Sequence, residues 1–219
     1  MSISNKRFSD REDLANALSH SIGALLSVAA LILMLVLSFH KGSTLHLVCS
    51  VVFGFSMIFL YTSSSVAHWL PQGKRKDSFF TLDQIAIFVL IAGTYTPLSL
   101  IALNGKLGWL IYGIEWEVAL TGIIRLISRI NKFESGVDFI DIFIYIGMGW
   151  LVFLVSGPVL KAVPMMGFLW IVIGGLFYTI GVIFFKVLKF RFHHLVWHLM
   201  VIGGTASHFI AIFFYILPK

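Results

Sequence analysis

The sequence predicts an all-α fold: seven helices crossing a membrane, with the N-terminus in the cytoplasm and the C-terminus outside. Three observations carry that prediction. Of 219 residues, 58% are hydrophobic and only 12% charged, against about 25% charged in an ordinary soluble domain. Stretches free of Asp, Glu, Lys and Arg recur along the whole chain, and the basic residues fall mainly in alternate connections between them. The same composition excludes other classes. Cys49 is the only cysteine, so no disulfide framework can form within the chain. A net charge of +6 on so apolar a chain suits a membrane surface rather than nucleic acid.

A bilayer core about 30 Å thick needs roughly 20 apolar residues per helix at 1.5 Å rise. Six uncharged stretches meet that length: 14–40, 42–73, 84–105, 142–160, 162–185 and 192–218. The first follows a segment with three basic and three acidic residues, a poor signal-peptide start, so a retained anchor is expected. Lys41 separates the first two stretches, and Lys74-Arg75-Lys76 closes the second. Segment 107–124 is a seventh candidate, interrupted by Glu115 and Glu117. Charge decides its inclusion. With seven spans the cytoplasmic side holds Lys6, Arg7, Arg11, Lys74, Arg75, Lys76, Arg125, Arg129, Lys132, Lys186, Lys189 and Arg191, and the outside only Lys41, Lys106, Lys161 and Lys219. Leaving 107–124 out of the bilayer evens the tally, whereas short cytoplasmic loops carry a Lys/Arg excess. The spans use most of the chain, so residues 1–219 form one integral-membrane domain. The glycines Gly147/Gly149, Gly174/Gly175 and Gly203/Gly204 fall within spans, where small residues let helices approach closely.

This topology sorts the eight histidines. His40 and His46 flank the first external loop and are expected to be solvated. His20, His68, His193, His194 and His198 fall near the cytoplasmic ends of the first, second and last spans, with His208 deeper in the last. His194 and His198 are i,i+4 and share a helix face, a spacing that suits one metal ion; His193 points away. Ser64 and His68 share a face in the same way. Asp83 opens the third span in the run Thr81-Leu82-Asp83-Gln84, and the hairpin returns it to the depth of His68. Three imidazoles suit Zn²⁺ and leave a fourth position for water. Asp83 could then take a proton, and Ser64 could hydrogen-bond that carboxylate or a developing oxyanion. The alternative is interfacial histidines meeting lipid headgroups, or packing residues with their hydrogen bonds made. Glu115 and Glu117 lie near mid-bilayer. Two apart on a helix, they point in nearly opposite directions and cannot face one partner, and proton relay and buried hydrogen bonding both stay open.

The ordered motifs Glu12…Asn16…His20…Gly23, Ser64-Ser65-Val66-Ala67-His68 and Leu82-Asp83…Ile91-Ala92-Gly93-Thr94-Tyr95-Thr96-Pro97 resemble those of the hemolysin III family. Gly149-Trp150, Gly174-Gly175…Tyr178…Gly181 and His194-Leu195-Val196-Trp197-His198…His208-Phe209 extend the resemblance over almost the whole chain. This family is the bacterial branch of the progestin and adiponectin receptor group, in a superfamily that includes alkaline ceramidases. The resemblance implies a seven-helix protein of the cell inner membrane. It implies Zn²⁺ held by His68, His194 and His198, with Asp83 at the water and Ser64 beside it. It also implies hydrolysis of a membrane lipid amide or ester, linked to lipid homeostasis or haemolysis. Ala67, Gln84 and the glutamates flanking Trp116 depart from the family pattern.

Three functions follow for comparison. The first is a zinc-dependent membrane hydrolase acting from the cytoplasmic leaflet. The second is a non-enzymatic regulator or receptor with structural zinc. The third, a haemolysin-like cytolysin, is disfavoured because the first, fifth and sixth spans carry almost no polar stripe to line a pore. A retinal protein is excluded, since 192–218 has no Schiff-base lysine. The expected orientation is also opposite to that of a G-protein-coupled receptor.

Overall fold

A computed structural model of the chain describes residues 8–130 and 137–219. Of the basic residues assigned above to the cytoplasmic side, Lys6, Arg7 and Lys132 lie outside the described residues. Among the described residues the chain is helical throughout, without a strand. The helices are α1 (Asp10–His40), α2 (Thr44–Trp69), α3 (Lys74–Pro97), α4 (Gly105–Ile130), α5 (Phe139–Gly149), α6 (Ser156–Ala162), α7 (Met165–Val182) and α8 (His193–Ala211). Turns of π-helix extend α3 over Leu98–Leu103, α7 over Ile183–Val187 and α8 over Ile212–Ile216.

Five of these are long and apolar enough to cross a membrane: Asp10–His40, Thr44–Trp69, Lys74–Leu103, Met165–Val187 and His193–Ile216. A sixth is available if Phe139–Phe153 and Ser156–Ala162, bent by 55°, act as one span. The stretch 142–160 is therefore not one straight helix. The interruption falls at residues 150–155, with a 3-10 turn over Leu151–Phe153, and Pro158 sits in the first turn of α6, where its missing N–H is tolerated. Tyr95 repairs the break from α3, donating to Gly149 O (3.1 Å) and accepting from Val152 N (2.8 Å). Helix α4 is 26 residues long and carries Glu115 and Glu117 in its middle turns.

The bundle is inside-out relative to a soluble protein. On α1, Asn16, Ser19, His20, Ser27 and Ser38 are buried, while Leu14, Leu18, Ile22, Leu25 and Leu26 are exposed. Two ends can be told apart by their contacts. At one end the start of α1 meets the end of α2 and the start of α3, through Asp13, His68 and Lys76. The start of α8 joins them, Phe192 N donating to Glu12 Oε1 (3.1 Å). At the other end Lys41, just after α1, bonds the Pro218 carbonyl. The last turns of α4 are tied to the start of α5 by Arg125 and Arg129, which pair with Asp138 and Asp141. Lys186, beyond α7, donates to Val137 O (2.8 Å) at the same place. Burial works to raise the Asp138 carboxyl, but the Arg125 guanidinium and the Asp141 amide outweigh it and hold the group well below the usual carboxylate range.

The glycines divide into those that pack and those that do not. A Cβ on Gly174 would lie 2.2 Å from the His208 ring and 3.0 Å from Gly204 O, whereas one on Gly147 would meet nothing within 4 Å. Gly174→Ala is expected to destabilise the bundle by about 1–3 kcal/mol through overpacking. Gly147→Ala should leave it unchanged or slightly stabilised. Thermal unfolding of the two variants in detergent, compared with the parent, checks the contrast.

Candidate metal centre

Two helices, α2 and α8, deliver three imidazoles to a single buried point. The i,i+4 spacing sets His194 and His198 on one face of α8, and the contact between Glu12 and the start of α8 holds that face against α1. Phe192, at φ 65°, provides the left-handed turn into the helix. His68 arrives from the last turn of α2. One ligand atom from each of His68, His194 and His198 lies within 4.8 Å of the others, and all three residues are buried. Ring centroids are 5.2 Å apart for His68–His194, 5.1 Å for His68–His198 and 4.7 Å for His194–His198. Nitrogens held 2.0–2.1 Å from one tetrahedral zinc are about 3.4 Å apart, so modest ring rotations would close the set. The three imidazoles, distant in sequence, lie close enough together that they could hold one ion.

Hydrogen bonds decide which nitrogens are free. His68 Nδ1 is 2.8 Å from Asp13 Oδ1. A carboxylate only accepts, so Nδ1 carries the proton and Nε2 keeps its lone pair. That Nε2 is buried without a partner, as is His194 Nε2. His198 Nδ1 lies 3.2 Å from the main-chain carbonyl of Asn16 and 3.1 Å from Ser19 Oγ. Ser19 in turn donates to the same carbonyl (2.8 Å). The carbonyl likewise places the His198 proton on Nδ1. Buried nitrogens with available lone pairs are what a divalent ion requires, and the three histidines could hold one. Around them Asp13 also accepts from Lys76 Nζ (3.0 Å), which donates further to His68 O and Leu70 O. A carboxylate on the far nitrogen of a ligating histidine fixes tautomer and ring orientation.

The other sequence-predicted residues fall as follows. Asp83 does not open α3: the helix begins at Lys74, so Asp83 sits about two and a half turns in. The basic triplet starts the helix because Lys76 is drawn inward to Asp13 and two carbonyls. Ser64 is buried next to the Asp83 carboxyl, yet its hydroxyl makes no hydrogen bond of ordinary geometry. Neither belongs to the cluster of mutually close ligand atoms. His193 turns away, its Nδ1 2.9 Å from Phe184 O. His208 bonds Ile171 O (3.1 Å), ten residues and about 15 Å along α8 from His198. His46 is half-buried rather than solvated, because its Nδ1 bonds the α2 cap Ser43 (2.8 Å), while His40 is exposed. Glu115 is 1% exposed with both oxygens unpartnered, and Glu117 faces outward, the opposed directions expected. Sequence reasoning missed Asp13 and Ser19. The signal for Asp13 was its place with Asn16 and His20 at i, i+3 and i+7 on one face.

Residues 8–209 match the family profile described as haemolysin-III related. The chain is 39% identical over 208 residues to the hemolysin-3 homolog of Bacillus subtilis (strain 168), covering 95% of this chain and 96% of that one. Hemolysin-3 of Bacillus cereus is 40% identical over the same length, covering 95% and 93%. The human monocyte to macrophage differentiation factor is 28% identical over 176 residues, covering 75% and 69%.

Removing a carboxylate behind a ligating histidine typically lowers metal affinity about 10–100-fold. Asp13→Asn is expected to weaken divalent-ion binding by that range, with Asp13→Asn/Lys76→Met behaving likewise without leaving Lys76 unpaired. Competition against a chromogenic chelator measures it.

Proposed function

Since the chain belongs to the haemolysin-III-related family, we propose that it is a zinc-dependent membrane hydrolase of lipid amides or esters. The observation carrying the reading is the convergence of His68, His194 and His198 as three buried ligand donors. The protein forms one seven-crossing domain over residues 1–219 in the cell inner membrane, N-terminus in and C-terminus out. Support for the seventh crossing comes from α4, which links the two ends of the bundle and reaches Asp138 and Asp141 by its last turns. The lysine and arginine excess at the end where α1 begins supports the orientation.

His68, His194 and His198 would hold the zinc, which when bound would supply Lewis acidity and a more acidic water at neutral pH. Asp13 holds His68 in the required tautomer, and the Asn16 carbonyl does the same for His198. Asp83 acts as general base and acid, taking the proton of the attacking water and returning it to the departing amine or alcohol. Ser64, buried beside the Asp83 carboxyl, would hydrogen-bond it or the developing oxyanion once substrate is in place. Attack on the acyl carbon breaks the C–N or C–O bond and yields a fatty acid. An apolar cavity lined by Leu60, Ile91, Tyr178, Trp197 and Val201 offers room for an acyl chain beside the α2 and α8 walls of the site.

A second reading, a membrane regulator with structural zinc, draws on the closed Asp13–His68–Lys76 network, which stabilises the site with or without turnover.

Purified protein is expected to hold one zinc per chain, lost in His194→Ala/His198→Ala; an unchanged metal content in that variant would overturn the site. Against a panel of ceramides and lipid esters, Asp83→Asn should keep the zinc and lose about 10²–10⁴-fold in turnover. A metallated but inert wild-type protein favours the regulator.

A further inference from the structure

Eleven buried side-chain polar atoms lack a hydrogen-bond partner among the described residues, and seven of them belong to Asn16, His20, Ser64, His68 and His194. A metal ion accounts for His68 Nε2 and His194 Nε2. It leaves both amide atoms of Asn16, both ring nitrogens of His20 and the Ser64 hydroxyl. Buried polar groups are nearly always bonded, and a cluster that is not marks a place where something polar sits.

Asn16 and His20 are one turn apart on the same face of α1, 1% and 2% exposed. Neither side chain is used by the metal centre. Asn16 serves His198 and Ser19 through its main-chain carbonyl, so its carboxamide is spare. His20 is placed by its ring faces. It stacks on His198 at 3.5 Å and 10° and meets Tyr61 edge-on at 5.0 Å and 83°. Packing of that kind asks for an aromatic ring, and neither nitrogen makes a hydrogen bond of ordinary geometry, although the His198 main chain lies close to the ring. The carboxamide offers a donor and an acceptor, and the neutral imidazole offers one of each.

From this we infer that Asn16 and His20 form a subsite for the hydrogen-bonding head of the lipid, holding its amide or ester group beside the three histidines. The subsite rests on the hydrolase reading. Asn16 Nδ2 donates to a carbonyl of the head, and Asn16 Oδ1 accepts from its N–H or a flanking hydroxyl. His20 adds a second donor and acceptor one turn deeper. A site built of such groups discriminates against a ligand lacking them, because its own polar atoms are then left unpaired.

The test uses the full chain in detergent micelles as wild type, Asn16→Leu and His20→Phe, the second keeping the ring stack. Two quantities are read on each: zinc per chain with its affinity, and the ratio of binding constants for a long-chain ceramide and hexadecanol. The wild type should favour ceramide by about tenfold or more. Both variants should keep wild-type zinc binding while the ratio falls toward one. A folded variant with its zinc and the wild-type ratio overturns the subsite, as does a wild type that does not distinguish the probes. Loss of zinc in His20→Phe also overturns it, showing that the ring nitrogens serve the metal. A wild type without zinc sinks the hydrolase reading instead, and the ceramide ratio still judges Asn16 and His20.

Discussion

The carboxylate of Asp13 accepts from His68 Nδ1 and Lys76 Nζ at once, joining α1, α2 and α3 at one end of the bundle. All three groups are buried, and a buried charge is tolerated only when paired and hydrogen-bonded. That requirement fixes where α3 begins, since Lys76 must turn inward in its first turn. It fixes the tautomer of His68, since the carboxylate can only accept. The lone pair of His68 is consequently directed away from Asp13 and toward α8.

Helix α8 is held to the same point by different means. Glu12 receives the Phe192 amide, and the Asn16 carbonyl receives His198. Adjacent residues of α1 thus secure both sides of the histidine cluster, Asp13 through α2 and Glu12 through α8. The first helix turns its polar stripe inward and its leucines outward, so the residues that look least suited to a membrane organise its interior. The unpartnered polar atoms left in that interior are concentrated around the three histidines; elsewhere among the described residues they are confined to His46, Glu115 and His208.

Much of this was legible beforehand. The i,i+4 pairing of His194 with His198, the opposition of Glu115 and Glu117, and the outward turn of His193 follow from 3.6 residues per turn. What failed had a local cause. The stretch 142–160 looked continuous by hydropathy, which does not register the break at residues 150–155 that Tyr95 bridges from α3. Asp83 looked like a helix start because three cations precede it, and the buried partners that let Lys76 enter a helix lie far off in sequence. His46 looked solvated because its cap, Ser43, is a structural rather than a compositional feature.

By itself the sequence determined the class of the molecule, an apolar helical membrane protein, and the i,i+4 histidine pair that could hold a metal ion, because composition and helical period are local properties. The tertiary structure alone decided that Asp13 stands behind His68, that a main-chain carbonyl stands behind His198, and that His20 stacks on it. Those relations join residues more than fifty positions apart. They follow from how α1 packs between α2 and α8, where burial in an apolar surround forces each polar group to find whichever partner the fold brings near.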